Sequence, residues 1–165
     1  FPLMASECFN LLRKTTRGGN VALKLEIKKS FDTMDRGFIK TILLRFGFSE
    51  TFVQWITKLM ESSHISILIN GSLEGYFTCS RGVRQGYPLS AIIFAIAEDY
   101  LSRILTHMVE NGKLATISVA RGLSSPSHLF FADDIIIFMQ GDKNNITRLR
   151  ESLLHYENVS GQEIN

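Results

Sequence analysis

Hydrophobic residues recur every three or four positions in five stretches of the chain, which is the spacing of a helix with a buried face. The first stretch covers residues 1–14. Asp35 and Ser49 stand where they can cap the next two helices, and Pro88 is a suitable first residue for the fourth. The fifth ends at Gly161, a residue that commonly stops helices. The pattern therefore predicts five helices.

Three other stretches are predicted to form strands, and the first has a clear period-two pattern. In residues 21–27 the apolar side chains face one way, and the polar side chains, including Glu26, face the other. Residues 64–80 are typical of a hairpin that turns near Asn70–Gly71. Residues 128–139 indicate a second hairpin, with two acidic residues at its turn.

The elements follow the order helix, strand, two helices, hairpin, helix, hairpin, helix. This order predicts an α+β fold in which helices cover one face of a mainly antiparallel sheet and leave the other face open as a cleft. Residues 111–127 have no clear period and read as a loop.

Composition is compatible with one globular domain. The chain has 165 residues, of which 45% are hydrophobic. It has no apolar run of the roughly 18 residues needed to span a membrane, and no basic-then-apolar signal at its start. We therefore expect an intracellular protein, in the nucleus or cytoplasm. Cys8 and Cys79 lack the spacing of a zinc site or disulfide framework and read as buried small hydrophobes.

Charge is unevenly distributed although the formal net charge is only +2. Residues 1–40 carry eight Lys or Arg against four Asp or Glu, and residues 126–165 carry three against six. The basic first part allows contact with nucleic acid without proving it.

The stretch HLFFADDIIIFM places Asp133 and Asp134 between two apolar arms. An Asp-Asp pair is most often a solvated hairpin turn. The apolar flanks favour a different interpretation, because they bury both arms and present the carboxylates on a rigid support. Hard oxygen ligands of this kind suit Mg²⁺ or Mn²⁺.

A further acidic ligand would have to come from another element. Glu26 is the best candidate because it projects from the charged face of the strand 21–27. On the residues alone, the favoured interpretation of Glu26 is a surface residue between Lys24 and Lys28.

Three ordered motifs carry a family resemblance: GGNVALKLEIKKSFDTMD, SRGVRQGYPLSAIIFAIAEDYLSR and LFFADDIIIF. In this order and at these separations they resemble the palm motifs of reverse transcriptases, and more specifically those of the non-LTR, LINE-type retrotransposons abundant in plant genomes. The resemblance covers essentially the whole chain. It implies a polymerase palm with part of the fingers.

The resemblance also implies a mechanism. Such enzymes join deoxynucleotides to a primer 3′-hydroxyl with two divalent ions, Mg²⁺ or Mn²⁺. Asp133, Asp134 and Glu26 would be the catalytic carboxylates, and the same three residues with the Ile27 carbonyl would bind the metal ions. Phe131 matches the aromatic residue near the primer end, a position equally compatible with a core aromatic.

Other positions match residues near the incoming nucleotide. Phe31 corresponds to the aromatic residue that favours deoxynucleotides over ribonucleotides, although core packing explains it about as well. Gln85 and Gly86 match an element beside the nucleotide and template, where glycine permits close backbone approach. Arg84 or Arg81 would meet phosphate, unless they are solvated loop charges.

Two departures from the family pattern matter. Glu26 stands where the family has aspartate, and a ligand displaced by ~1 Å can cost on the order of 10²-fold in rate. Tyr87 replaces an acid and Ala91 replaces a proline in the nucleotide loop.

The matched motifs imply that residues 1–165 are a partial reverse transcriptase domain, without the thumb and the accompanying endonuclease. We expect an RNA template, a DNA primer and deoxynucleoside triphosphates as partners, and the remainder of a retroelement polyprotein around the chain. Alone, the chain should have little processive activity. The alternative is a non-catalytic, nucleic-acid-binding relic of the same fold.

Overall fold

The computed structural model describes residues 2–13, 18–84, 86–117 and 125–165. These residues form helices and strands in the order predicted from the sequence, with two short additions. The helices are α1 Pro2–Leu11, α2 Ser30–Thr33, α3 Arg36–Arg45, α4 Glu50–Glu61, α5 Pro88–Glu110 and α6 Lys143–Ser160. The strands are β1 Asn20–Lys28, β2 His64–Ile69, β3 Ser72–Thr78, β4 His128–Phe131, β5 Asp134–Gln140 and β6 Glu163–Ile164. The additions are α2 and β6, both too short to leave a periodic signal.

An antiparallel sheet with the strand order β4-β5-β1-β6 carries the candidate site. Strand β5 pairs over its full length with residues 20–26 of β1, from Asn20 opposite Gln140 to Glu26 opposite Asp134. Strand β6 pairs with the other edge of β1, where Ile27 lies opposite Ile164. Strand β1 is therefore an inner strand, held on both sides.

One face of the sheet packs on the main hydrophobic core. The inward residues of β1 and β5, such as Ile27, Ile135 and Ile137, are almost completely buried there. Helix α5 covers them with residues spaced four apart, including Ala97 and Leu101. Burial of these side chains is the main stabilising contribution to the sheet, at about 25 cal/mol per Å² of apolar surface. The predicted α+β fold with helices against an antiparallel sheet is confirmed.

The second face is less open than the sequence suggested. Cys8 and Leu11 of α1 pack with Ala22, Leu129 and Ile136, and a buried Phe138 lies among them. The Phe9 and Phe138 rings meet edge to face at 5.7 Å. The prediction of a wholly open cleft is therefore wrong: helix α1 covers the far part of this face. The end that carries Glu26 and Asp134 is the part that faces solvent.

Several helix boundaries agree with the sequence signals. The carboxylate of Asp35 accepts a hydrogen bond from Phe38 N at 2.8 Å, and Ser49 Oγ accepts one from Phe52 N at 3.3 Å. Pro88 begins α5, and Gly161 ends α6 with φ of 72°. Cys8 is buried as expected, whereas Cys79 is only half-buried.

Strands β2 and β3 form a separate two-stranded hairpin. Its turn residues Asn70 and Gly71 have φ of 50° and 88°, as a type I′ turn requires. Its large apolar residues are exposed, with Leu73 and Tyr76 each 74% accessible. Within the described part of the chain, no helix is long and apolar enough to cross a membrane.

Candidate active site

Three side chains line up across the sheet at its solvent-facing end. Asp134 lies directly opposite Glu26 on β1 and directly opposite Phe131 on β4. Residues opposite each other on antiparallel strands point to the same face, with Cβ atoms about 4.5–5.5 Å apart. Glu26, Asp134 and Phe131 therefore form one row on the open face, and Phe131 is 64% exposed there.

The turn between β4 and β5 brings Asp133 to the end of this row. Ala132 and Asp133 form the two-residue loop, and Ala132 has φ of 52°. A positive φ at the first loop position alone is the pattern of a type II′ turn, where glycine is normal. Ile27 N donates a hydrogen bond to the Asp133 carbonyl at 2.9 Å. Since the N–H and C=O of a strand residue point to the same side, the Ile27 carbonyl is also directed toward the turn.

The Lys24 side chain contacts this group of carboxylates. Its Nζ lies 2.9 Å from Asp134 Oδ2. Hydrogen bonding and ion pairing with Asp134 raise the pKa of Lys24 above its usual value, and Glu26 and Asp133 add to the effect. The sequence suggested Lys24 only as a surface neighbour of Glu26, but its charge acts on all three carboxylates.

The donor set has the right chemistry for a hard divalent cation. It consists of three carboxylates and the backbone carbonyl of Ile27, at the solvent-facing end of the sheet. In the present conformation, no group of three or more His, Cys, Asp or Glu in the described ranges is arranged to hold a metal ion. The ion pair with Lys24 accounts for one of the carboxylates, Asp134.

A cavity of about 430 Å³ opens beside the turn. Its lining includes Asp133 and Ala132 of the turn, together with Lys29, Phe31 and Ala91. The Phe31 ring packs on Phe94 with centroids 4.8 Å apart, so this side chain both contacts the core and borders the cavity. The core contact of Phe31 is therefore present, and its role beside a nucleotide stays a prediction.

The loop after the β2–β3 hairpin is fixed against α2. Val83 N donates to the Phe31 carbonyl at 2.8 Å, and Gly82 N donates to the Met34 carbonyl at 2.8 Å. A Cβ on Gly82 would lie 2.6 Å from the carbonyl oxygens of Phe31 and Asp32, and its φ is 75°. Glycine is therefore required at this close approach of two backbones.

The described nucleotide-binding candidates of this loop, Arg84 and Gly86, are not among the residues that line the cavity beside the turn. Gly86 has φ of 86° with open space beside it, which permits close approach of a ligand. Arg84 instead lies over the Tyr87 ring, 5.2 Å from its centroid, with Nη1 3.4 Å from Tyr87 Oη. Its side chain borders a different cavity, next to Arg36. Gln85 lies outside the described residues.

A fourth carboxyl group near the turn was not anticipated. Glu98 Oε1 is buried and has no hydrogen-bond partner among the described residues. Burial raises the pKa of Glu98 to about 7, and the negative charge of Asp133 contributes to the rise. Glu98 lies on α5, so only the folding of that helix against the sheet brings it near Asp133.

These additional residues differ in how clearly the sequence indicates them. Lys24 is visible as the neighbour of Glu26 two positions earlier, but its partner lies 110 positions away in the chain. Lys29 adopts φ of 48°, which no feature of a lysine side chain indicates. Glu98 falls one residue after the buried Ala97 on a helix, which could have marked it as partly buried.

Comparison with protein families shows the family to which the chain belongs. Residues 3–165 match the family model described as reverse transcriptase (RNA-dependent DNA polymerase). The chain is 27% identical over 141 residues to the Pol polyprotein of the type-2 retrotransposable element R2DM of Drosophila melanogaster, covering 86% of this chain and 12% of that protein. It is 39% identical over 71 residues to an uncharacterised mitochondrial protein of Arabidopsis thaliana, covering 43% of this chain and 58% of that protein.

Solved structures show the same fold. A structure of telomerase from Candida tropicalis, in complex with a fragment of telomeric RNA, superposes with a TM-score of 0.71. The superposition covers 99% of this chain and 28% of the telomerase chain, at 14% sequence identity. The fold is therefore the polymerase palm fold predicted from the motifs.

Proposed function

Because the chain belongs to the reverse transcriptase family, we propose that its row of carboxylates is the catalytic centre of an RNA-directed DNA polymerase from a non-LTR retroelement. The observation that carries the proposal is the register of β1 and β5, which sets Glu26 opposite Asp134 and next to the Asp133 turn. The two motifs that supply these acids are more than a hundred residues apart in the chain, yet the fold brings them together at the solvent-facing end of the sheet.

Members of this family generally use divalent metal ions. We propose two Mg²⁺ or Mn²⁺ ions here, with Glu26, Asp133, Asp134 and the Ile27 carbonyl as ligands. Bound ions of this kind activate the primer 3′-hydroxyl and stabilise the charge on the leaving oxygens. The protein supplies fixed positions for the ligands: Glu26 and Asp134 from paired strands, and Asp133 from a two-residue turn with little freedom to move.

The neighbouring residues fit substrate positions. Phe31 borders the cavity beside Asp133, where an aromatic ring would exclude a nucleotide 2′-hydroxyl. Gly86, with Gln85 before it, would let the nucleotide and template approach the backbone. Arg84 would meet phosphate after leaving the Tyr87 ring. Phe131, exposed in the same row as the carboxylates, would contact the primer end.

The chain spans 12% of the length of the Drosophila Pol polyprotein and 28% of the telomerase chain that it matches. We therefore propose that residues 1–165 are the palm with part of the fingers, working within a longer polyprotein. An RNA template, a DNA primer and deoxynucleoside triphosphates would be its partners. The isolated chain should have little processive activity, because a palm alone does not enclose a primer–template duplex.

A second candidate is a non-catalytic, nucleic-acid-binding relic. Two observations favour it: glutamate stands at the position of the family's aspartate, and Lys24 is paired with Asp134. In a relic, the basic first part of the chain would still bind phosphate. The two candidates differ in whether the carboxylates support chemistry.

Primer extension on an RNA template distinguishes the two. The chain is placed within full-length polyprotein flanks and assayed with Mg²⁺ and with Mn²⁺. Asp133→Asn should abolish extension, whereas Glu151→Gln, which removes an exposed carboxylate on α6, should leave it unchanged. If the parent and Glu26→Asp both fail to extend a primer but still bind RNA, the relic is the better description.

A further inference from the structure

The ion pair between Lys24 and Asp134 occupies one of the proposed metal ligands. Lys24 Nζ and Asp134 Oδ2 are 2.9 Å apart, and the two side chains are 67% and 34% exposed. The like charges of Glu26 and Asp134, directly opposite on paired strands, repel each other. A lysine on the same face offsets this repulsion without a metal ion.

The strand register gives the backbone positions of the two paired residues, Lys24 and Asp134. The Lys24 backbone lies opposite Ile136, two residues further from the hairpin turn than Asp134. The lysine side chain therefore spans this offset along the strands to reach Asp134 Oδ2. In the described ranges, the acids do not form a ready-made metal cluster while this pair is present.

We propose that Lys24 is a positioning residue that stands in for a cation on Asp134, and that it must release Asp134 when a divalent ion binds. The inference rests on the proposed function of the carboxylates. Exposed ion pairs of this type are weak, so a divalent cation can displace the ammonium group. Lys24 thereby lowers the affinity of the site for metal.

The chain contains a matched control on the same strand. Lys28 lies two residues after Glu26, as Lys24 lies two residues before it, and both are on the charged face. Lys28 Nζ pairs with Glu163 Oε2 at 2.9 Å, not with a proposed ligand. Replacing either lysine by methionine removes one positive charge near Glu26, but only Lys24→Met also frees Asp134.

The experiment is a titration of the full chain with Mn²⁺, without nucleic acid, in which free Mn²⁺ is measured by electron paramagnetic resonance. Lys24→Met should tighten Mn²⁺ binding about two- to fivefold more than Lys28→Met does. In an Asp134→Asn background the two substitutions should have equal effects, because the pair to be displaced no longer exists. Circular dichroism of each variant checks that it is folded.

Two outcomes would overturn the inference, and they differ in what else they overturn. If Asp133→Asn weakens Mn²⁺ binding but Lys24→Met and Lys28→Met have equal effects, Lys24 does not compete with metal and the proposed function stands. If Asp133→Asn leaves Mn²⁺ binding unchanged, the carboxylates are not the metal centre, and the role of Lys24 falls with the proposed function.

Discussion

Glu26 and Asp134 are direct cross-strand partners on the solvent-facing side of β1 and β5. Two carboxylates in this relation repel each other, and a shared cation is the simplest way to hold them together. In the structure the cation is the ammonium group of Lys24, which reaches Asp134 from the next position on the same face of β1. The pair defines the metal chemistry that we propose, and the length of the Glu26 side chain is its testable feature.

The length of the acid at position 26 should limit the rate. Glu26→Asp restores the family's residue, so we expect faster primer extension within full-length flanks. The gain should reach on the order of 10²-fold, because metal ligands misplaced by ~1 Å cost about that much. The measurement is the single-turnover extension rate on an RNA template. A Glu26→Asp variant no faster than the parent would show that the longer side chain already reaches the metal ions.

The Phe31 ring should control the choice between deoxynucleotides and ribonucleotides. Phe31 borders the cavity next to Asp133 and is fixed there by the Phe94 ring. We expect Phe31→Ala to lower the preference for deoxynucleotides at least about tenfold, since the steric barrier to a 2′-hydroxyl is removed. Phe31→Leu, which keeps part of the bulk, should have a smaller effect. The ratio of kcat/KM for the two nucleotides reports the change, and an unaltered ratio would assign Phe31 to core packing alone.

The turn residue Ala132 should be a site where glycine stabilises the protein. Its φ of 52° costs a residue with a Cβ on the order of 1 kcal/mol. We expect Ala132→Gly to raise the free energy of unfolding by about 0.5 kcal/mol after the greater flexibility of glycine in the unfolded chain is subtracted. Urea denaturation measures the change. Ala95→Gly, in the interior of α5, is the contrasting control and should destabilise the protein by about 0.5–1 kcal/mol.

Glu98 should make stability depend on pH. Burial raises its pKa from 4.5 to about 7, so the folded protein keeps this proton at pH values where the unfolded chain has lost it. Retention of the proton stabilises the folded state fully below about pH 4.5, and the contribution is lost as the pH rises to about 7.

Glu98→Gln removes this titration. The variant should therefore gain stability relative to the parent as the pH rises from 5 to 8, because the parent must ionise a partly buried acid next to Asp133. Urea denaturation at several pH values measures the difference between the two proteins. A difference that stays constant with pH would mean that Glu98 ionises in the folded state as easily as in water.

The sequence predicted those parts of the fold that depend on local patterns. Alternation in β1 identified its buried side, and the residue types at Asp35, Ser49 and Gly161 identified helix ends, because capping needs only neighbouring atoms. The family motifs then brought Glu26 and the two aspartates into one proposed site. The register of β1 and β5 agrees with that grouping, although it does not test the roles.

Features that depend on distant contacts were not predictable in the same way. The packing of α1 on the second sheet face depends on contacts between distant residues, such as the one between the Phe9 and Phe138 rings. The pairing of Lys24 with Asp134 depends on strand register, and the burial of Glu98 depends on helix packing. Strand β6 has only two residues, too few for a periodic signal.

That short strand has a consequence for how a longer acid is accommodated. Glu26 N and O bond to Asn165 O and N at 3.1 and 2.9 Å, while Ile27 N bonds to the β5 side of the sheet. A strand anchored along both edges cannot slide or bow outward, so the additional methylene must be absorbed by the torsions of the Glu26 side chain itself. Adaptation at this position is therefore a matter of rotamer choice, and removing β6 together with Asn165 would be a way to give the backbone room to move.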